Sequence, residues 1–204
     1  MTLGRLHVLT DARAGRDAVG LARHALAGGA PVIQLRVKGL TDRAVYDLGV
    51  RIMAECAQAG ATCIVNDRVD IALAIGAHGT HLGADDLSVA AVRRVAGPAH
   101  IIGGTTREPV RAAELVAEGA DYLGVGPAFL TSTKDGLPEP LGPAGIGAVA
   151  RAVAVPVIAI GGITVEQVPA LRAEGAYGVA VVGAVSDAVD AEAATRKLVE
   201  AVGP

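Results

Sequence analysis

Eight apolar runs alternate with Ala-rich stretches of helical character along the 204 residues. That alternation predicts an α/β fold of parallel strands joined by helical crossovers. The sequence opens on a strand and closes on a helix, Ala191 to Val202, as an eightfold strand–helix repeat should. The first strand–helix turn, Thr10 to Gly15, lacks the Gly-x-Gly-x-x-Gly pattern of an open dinucleotide-binding sheet. The expectation is therefore one domain, residues 1–204, closed as a single (β/α)8 TIM barrel. Its length is at the low end for such a barrel, so its loops must be short.

The expected strands, in order, are Leu6 to Thr10, Val32 to Arg36, Cys63 to Asn66, Gly79 to Leu82, His100 to Gly103, Tyr122 to Val125, Val157 to Ile160 and Gly178 to Val182. Each is a short apolar run, as buried parallel strands require. Helical periods follow each of them. Gly29-Ala30, Gly60-Ala61, Gly76-Ala77, Gly119-Ala120 and Gly175-Ala176 close helical stretches just before the next run. Gly97-Pro98 and Val155-Pro156 mark two more joints, because proline cannot continue a helix. No Pro/Gly/Ser linker, low-complexity segment or composition shift divides the sequence.

Hydrophobic residues make up 51% of the chain, with one Phe, three Tyr and no Trp. The core must be built from Ala, Val, Leu and Ile. A net charge of −3 argues against a nucleic-acid binder, which would show a basic face. No apolar run is long enough to span a bilayer and no segment has the pattern of a secretory signal. The expectation is a soluble cytoplasmic protein without a membrane or nucleic-acid partner; a homo-oligomer is left open. Cys56 and Cys63 have no zinc or redox spacing and read as packing residues.

Chemistry in such barrels sits at the C-terminal ends of the strands. Gln34, Arg36 and Lys38 fall at the end of strand two, and Asn66 and Asp67 at the end of strand three. Asp85 and Asp86 follow strand four, and Thr105 follows strand five. Thr131-Ser132-Thr133-Lys134 gathers hydroxyls and an ammonium after strand six. Gly161 and Gly162 end strand seven, and Val182 and Gly183 end strand eight. All should open into one mouth.

Arg36 and Lys38 alternate, so on an extended segment they share a face and offer a fork and a mobile point charge to phosphate oxygens. Asp67 and Asp86 supply two carboxylates of the kind that hold Mg2+ with water and phosphate. The structural alternative is helix N-capping by Asp67, Asp85 or Asp86. Gly161 and Gly162 expose backbone N–H groups just before a helix, where anions bind. Their structural alternative is a tight turn that needs glycine. Of the five histidines only His81 falls near this mouth, and it reads as structural. No Ser-His-Asp or Gly-x-Ser-x-Gly pattern is present.

Gln34-Leu35-Arg36-Val37-Lys38, Val65 to Asp70, His81-Leu82-Gly83, Gly119 to Tyr122, Gly126-Pro127 to Lys134 and Ala159 to Ile163 occur in this order. On these motifs the chain resembles the thiamine-phosphate synthase family over essentially its whole length. The family joins 4-amino-2-methyl-5-hydroxymethylpyrimidine diphosphate to a thiazole phosphate and releases pyrophosphate. The resemblance implies that Gln34, Arg36, Lys38, Asn66 and Lys134 hold the pyrimidine diphosphate, with Arg36, Lys38 and Lys134 acting in catalysis. It implies Mg2+ on Asp67 and Asp86. It assigns Thr131 and Thr133, with the backbone near Gly161, Gly162, Val182 and Gly183, to the thiazole phosphate, and counts Thr105 and Ser132 among the substrate-binding residues. The chain departs from the common family pattern at Val37, Ala84, Asp85, Thr105 and Gly183. Two rival readings are a thiazole tautomerase of the same superfamily and a non-catalytic phosphate-sensing barrel. The first needs an acid/base side chain after strand five, where the chain reads Gly104-Thr105-Thr106-Arg107.

Overall fold

The computed structural model describes residues 3–10, 15–131 and 136–203. Ser132, Thr133 and Lys134 lie outside the described residues. The strands are β1 (Leu6–Leu9), β2 (Val32–Leu35), β3 (Thr62–Asn66), β4 (Gly79–Leu82), β5 (Ile101–Thr106), β6 (Tyr122–Val125), β7 (Val157–Ile160) and β8 (Gly178–Val181). The helices are α1 (Ala18–Ala27), α2 (Asp42–Ala59), α3 (Val69–Ala74), α4 (Val89–Ala96), α5 (Pro109–Ala117), α6 (Gly142–Ala152), α7 (Val168–Ala173), α8 (Gly183–Ser186) and α9 (Ala191–Val202). All strand pairs are parallel, each strand beside the next in sequence. The barrel closes where β1 meets β8, with His7 opposite Ala180.

Local chemistry explains the punctuation. Asp17, Thr41, Ser88 and Asp190 cap α1, α2, α4 and α9 through side-chain oxygens that accept first-turn N–H groups. Such a cap contributes about 1 kcal/mol. Gly60 ends α2 with φ 67°, a conformation open to glycine without steric strain.

Apolar residues divide into two layers. The larger lies between barrel and helices, where Ile52 and Cys56 of α2 and Cys63 and Val65 of β3 are fully buried. Both cysteines are free and buried, as expected of packing residues. A smaller cluster of Leu9, Tyr122, Ile158 and Ala180 fills part of the barrel interior. Each fully buried aliphatic side chain contributes roughly 1.5–3 kcal/mol, so the outer layer carries most of the burial energy. The inner layer shapes the cavity.

The differences from expectation are local. β1 stops at Leu9 and β2 at Leu35, so Arg36 and Lys38 stand on the loop beyond β2. Thr10 leaves the strand to accept from Arg36 N–H through Oγ1 at 2.8 Å, and its hydroxyl donates to Arg36 C=O at 2.8 Å. β5 runs to Thr106, so Thr105 belongs to the strand instead of following it. Val182 caps the short α8 and Gly183 is its first residue, so neither is a strand residue. A four-residue helix shows too little periodicity to be seen in sequence. Gly161 and Gly162 lead into a 3-10 turn, Val165–Gln167, before α7.

Candidate active site

A cavity of about 580 Å3 opens at the C-terminal ends of the strands. Alternate strand residues face it, as the two-residue period of a strand requires. His7, Gln34, His81, Tyr122, Ile158 and Ala180 line its depth. Arg36, Lys38, Asn66, Asp67, Thr105 and Thr131 line it nearer the mouth, with Gly161, Gly162, Val182 and Gly183 opposite. The barrel thus brings together every expected site residue within the described segments except Asp86. That residue lines an adjoining cleft of about 500 Å3, which shares Gly83, Ala84, Thr105, Gly126, Pro127 and Leu137 with the main cavity.

Gln34 comes from β2 and is 3% exposed, the one polar side chain of its strand. Lys38 reaches from its loop to Asp67, Nζ to Oδ2 at 2.6 Å.

Asp67 has φ 64°, and among the described residues it alone has positive φ without being glycine. Its N–H donates to His81 C=O at 2.8 Å, which holds the turn against β4. Asp86 Oδ2 accepts from Gly83 N–H at 2.7 Å. A Cβ on Gly83 would meet Asp86 Oδ2 at 3.0 Å and Asp67 Oδ1 at 4.0 Å, so both carboxylates converge above this residue. Neither is a helix cap. Arg68 occupies the cap position of α3 without a side-chain bond, and Ser88 caps α4.

The two carboxyls titrate apart. Burial pushes Asp67 up, but the Lys38 ammonium and the hydrogen bond with Asp86 outweigh it and hold its pKa below the ordinary value. Burial and the neighbouring Asp67 raise that of Asp86, against a smaller opposing effect of Gly83 N–H. Like charges at one point disfavour joint ionisation, and a cation between them removes that penalty. This donor set, two converging carboxylates open to a cavity, fits Mg2+, which takes one or two carboxylates and completes its shell with water and phosphate. Among the described residues no group of three or more His, Cys, Asp or Glu side chains forms a fuller metal site.

The glycine wall satisfies its structural reading in full. Gly161 has φ 98° and Gly162 φ 65°. A Cβ on Gly161 would meet Pro127 Cβ at 2.7 Å, and one on Gly162 would strike the Leu130 carbonyl. The turn needs glycine whatever it binds. It also leaves backbone at the cavity surface without side chains in front of it.

The depth of the cavity holds His7 and Tyr122, which sequence reasoning passed over, beside His81, which it read as structural. His81 Nδ1 lies 3.0 Å from Tyr122 Oη, and His81 Nε2 lies 2.8 Å from Thr105 Oγ1. Burial, opposed in part by Asp67, lowers the His81 pKa to about 4. His7 is fully buried, and burial with neighbouring His81 lowers its pKa to about 3. Its Nε2 contacts Gly4 C=O at 3.1 Å, while Nδ1 is buried without a partner. A signal for these residues was present: a histidine in each of the strand sequences Leu-His-Val-Leu and Gly-Thr-His-Leu, and glycines inside β5 and β6.

Comparison with known proteins follows this geometry. A family profile described as thiamine monophosphate synthase matches residues 6–185. The chain is 55% identical over 204 residues to a thiamine-phosphate synthase of Salinispora arenicola, covering 98% of both chains. It is 46% identical over 198 residues to the thiamine-phosphate synthase of Moorella thermoacetica, covering 96% of this chain and 93% of the relative. Among solved structures, a thiamine phosphate pyrophosphorylase from Pyrococcus furiosus superposes with TM-score 0.89 at 36% identity, covering 97% of this chain and 95% of that one. A 3-hexulose-6-phosphate synthase superposes with TM-score 0.75 at 20% identity over 98% of this chain and 100% of that one, a likeness of fold alone.

Proposed function

The chain belongs to the thiamine monophosphate synthase family, and we propose that it joins an aminopyrimidine methyl diphosphate to a thiazole phosphate, giving thiamine phosphate and pyrophosphate. It is on this reading a thiamine-phosphate synthase, a transferase acting on two small molecules. The observation that carries the reaction is the arrangement along one cavity. A buried amide lies deep, Arg36, Lys38 and the Asp67 carboxylate stand at one side of the mouth with Asp86 converging from the adjoining cleft, and a glycine wall stands at the other.

Gln34 would take the polar edge of the pyrimidine, with Asn66 beside it. Arg36, Lys38 and Lys134 would hold the diphosphate. Asp67 and Asp86 would hold Mg2+, which when bound neutralises diphosphate charge. The leaving oxygens gain negative charge as the C–O bond breaks, and fixed cations aimed there act most strongly at that moment. The aminopyrimidine itself delocalises the positive charge left on its methylene. The thiazole nitrogen then forms the new C–N bond with its own lone pair. No protein nucleophile is needed, so the chain contributes position and charge. Thr131, Ser132 and Thr133, with backbone at Gly161, Gly162, Val182 and Gly183, would seat the thiazole phosphate.

A tautomerase would need an acid/base side chain beyond β5. The hydroxyl of Thr105 and the guanidinium of Arg107 are poor candidates for that role at neutral pH. Among the described residues no helix is long and apolar enough to cross a membrane. A steady-state assay of pyrophosphate release with both substrates and Mg2+ tests the proposal. Release that requires both substrates is expected, and release without the thiazole, or none at all, overturns it.

A further inference from the structure

Three polar side chains from three strands form a line in the wall of the cavity: Tyr122 of β6, His81 of β4 and Thr105 of β5. Their room comes from two strand glycines. A Cβ on Gly103 would strike the Tyr122 ring and His81 Nδ1, and one on Gly124 would meet His81 Cε1 at 2.8 Å.

The direction of the hydrogen bonds follows from the buried end. Tyr122 is 1% exposed, and burial pushes its phenol well above the ordinary range, so it keeps its proton. Among the described residues the recorded partner of that hydroxyl is His81 Nδ1. If Nδ1 carried the imidazole proton, the phenol would be an acceptor there and its own proton would be buried without a partner. Leaving a buried donor unpaired is costly enough to select the other tautomer. Nδ1 is then the acceptor and Nε2–H the donor. The single proton of the neutral ring is then on Nε2, which donates to Thr105 Oγ1. Thr105 has no other recorded partner among the described residues, so its own proton is left for the cavity.

We propose that Tyr122 selects the tautomer of His81, and that His81 thereby fixes the Thr105 hydroxyl as a donor to phosphate oxygens of the bound diphosphate. Thr105 pairs with Gly124 one step beyond the level of Leu82 and Gly104. That places it level with Gly83, over which the two carboxylates converge. An ionised phosphate has acceptors only, so a hydroxyl with its proton available suits it, whereas one whose proton is spent on an imidazole does not. Tyr122 and His81 are positioning residues in this scheme. The identity of the ligand rests on the function proposed above, and the tautomer does not.

Two measurements test it. In 15N-labelled, ligand-free protein, two-bond 1H–15N correlations should show His81 with a proton on Nε2 and a bare Nδ1, assigned by the signals lost in His81→Asn. In Tyr122→Phe the selection disappears and the tautomers should mix. In the pyrophosphate-release assay, Tyr122→Phe should lower kcat about tenfold when Thr105 is present, the loss of one hydrogen bond. In a Thr105→Val background the same change should matter less than twofold, because coupled residues are not additive. Thr105→Ser should retain the tenfold sensitivity. An Nδ1-protonated His81 in the unmodified protein, or an equal fold-loss in both backgrounds, overturns the proposal. If the unmodified protein released no pyrophosphate, the functional reading would fall and the tautomer measurement alone would decide the relay.

Discussion

Lys38 Nζ lies 2.6 Å from Asp67 Oδ2, so a cation expected to hold phosphate is held by a carboxylate expected to hold a metal. The Lys38 side chain is 59% exposed. Exposed pairs of this kind contribute only about 0–1 kcal/mol. A diphosphate can therefore draw the ammonium away from Asp67 at little cost, and leave that carboxylate for a divalent cation.

Asp67→Asn and Asp86→Asn should each lower kcat/KM on the order of 10²-fold, with partial recovery at high Mg2+. The expectation rests on their convergence over Gly83 and on neither being a helix cap. Wild-type rates with unchanged Mg2+ dependence in both variants would dismiss the metal assignment.

On the proposed role of Lys134 at the diphosphate, Lys134→Ala should lower kcat on the order of 10²-fold or more, because a cation there would act as charge develops on the leaving oxygens. A rise confined to KM would show that Lys134 supplies uniform binding instead.

Gly183→Ser should lower KM for the thiazole phosphate and leave that for the pyrimidine diphosphate nearly unchanged. Gly183 opens α8 with helical backbone and lines the cavity beside Val182. Serine tolerates that conformation, and a well-placed hydroxyl adds a charge-assisted bond of roughly 1.5–3 kcal/mol. An effect on the pyrimidine substrate alone would put the two ligands at the wrong ends of the cavity.

Acid stability should report on His7. Its folded pKa is lowered to about 3 from the unfolded 6.5. Above pH 6.5 both states are neutral and the contribution is complete. As pH falls below 6.5 the unfolded chain takes up the proton first, so stability is lost until about pH 3. The slope is about 1.4 kcal/mol per pH unit for one proton. From pH 7 to pH 5 this averages roughly 1 kcal/mol per pH unit, because the unfolded imidazole is only partly protonated near pH 6.5, and urea unfolding at the two pH values should show a slope shallower by about that amount in His7→Phe. Equal slopes would mean that His7 is protonated in the folded state.

The fold was legible because most strands are short apolar runs, several of them preceded by glycine or proline, and because helices follow in strict alternation. The mouth of the site was legible for a related reason: in parallel strand–helix units the polar residues after each run share one end. Gln34 stood out as an amide inside such a run. What stayed hidden depends on partners distant in sequence. The line from Tyr122 to Thr105 passes through His81, contributed by another strand. The left-handed backbone of Asp67 is set by its hydrogen bond to β4. Thr105 was placed after β5 because the two glycines before it weaken the strand signal. The first of them, Gly103, also makes room for the rings.

Gly103 and Gly124 leave no slack around His81 and Tyr122. A methyl group at either glycine can be admitted only if one of the two rings shrinks or withdraws. The four positions are therefore locked to one another by volume, and a substitution that removes the imidazole should be the one that frees the glycines to carry a side chain.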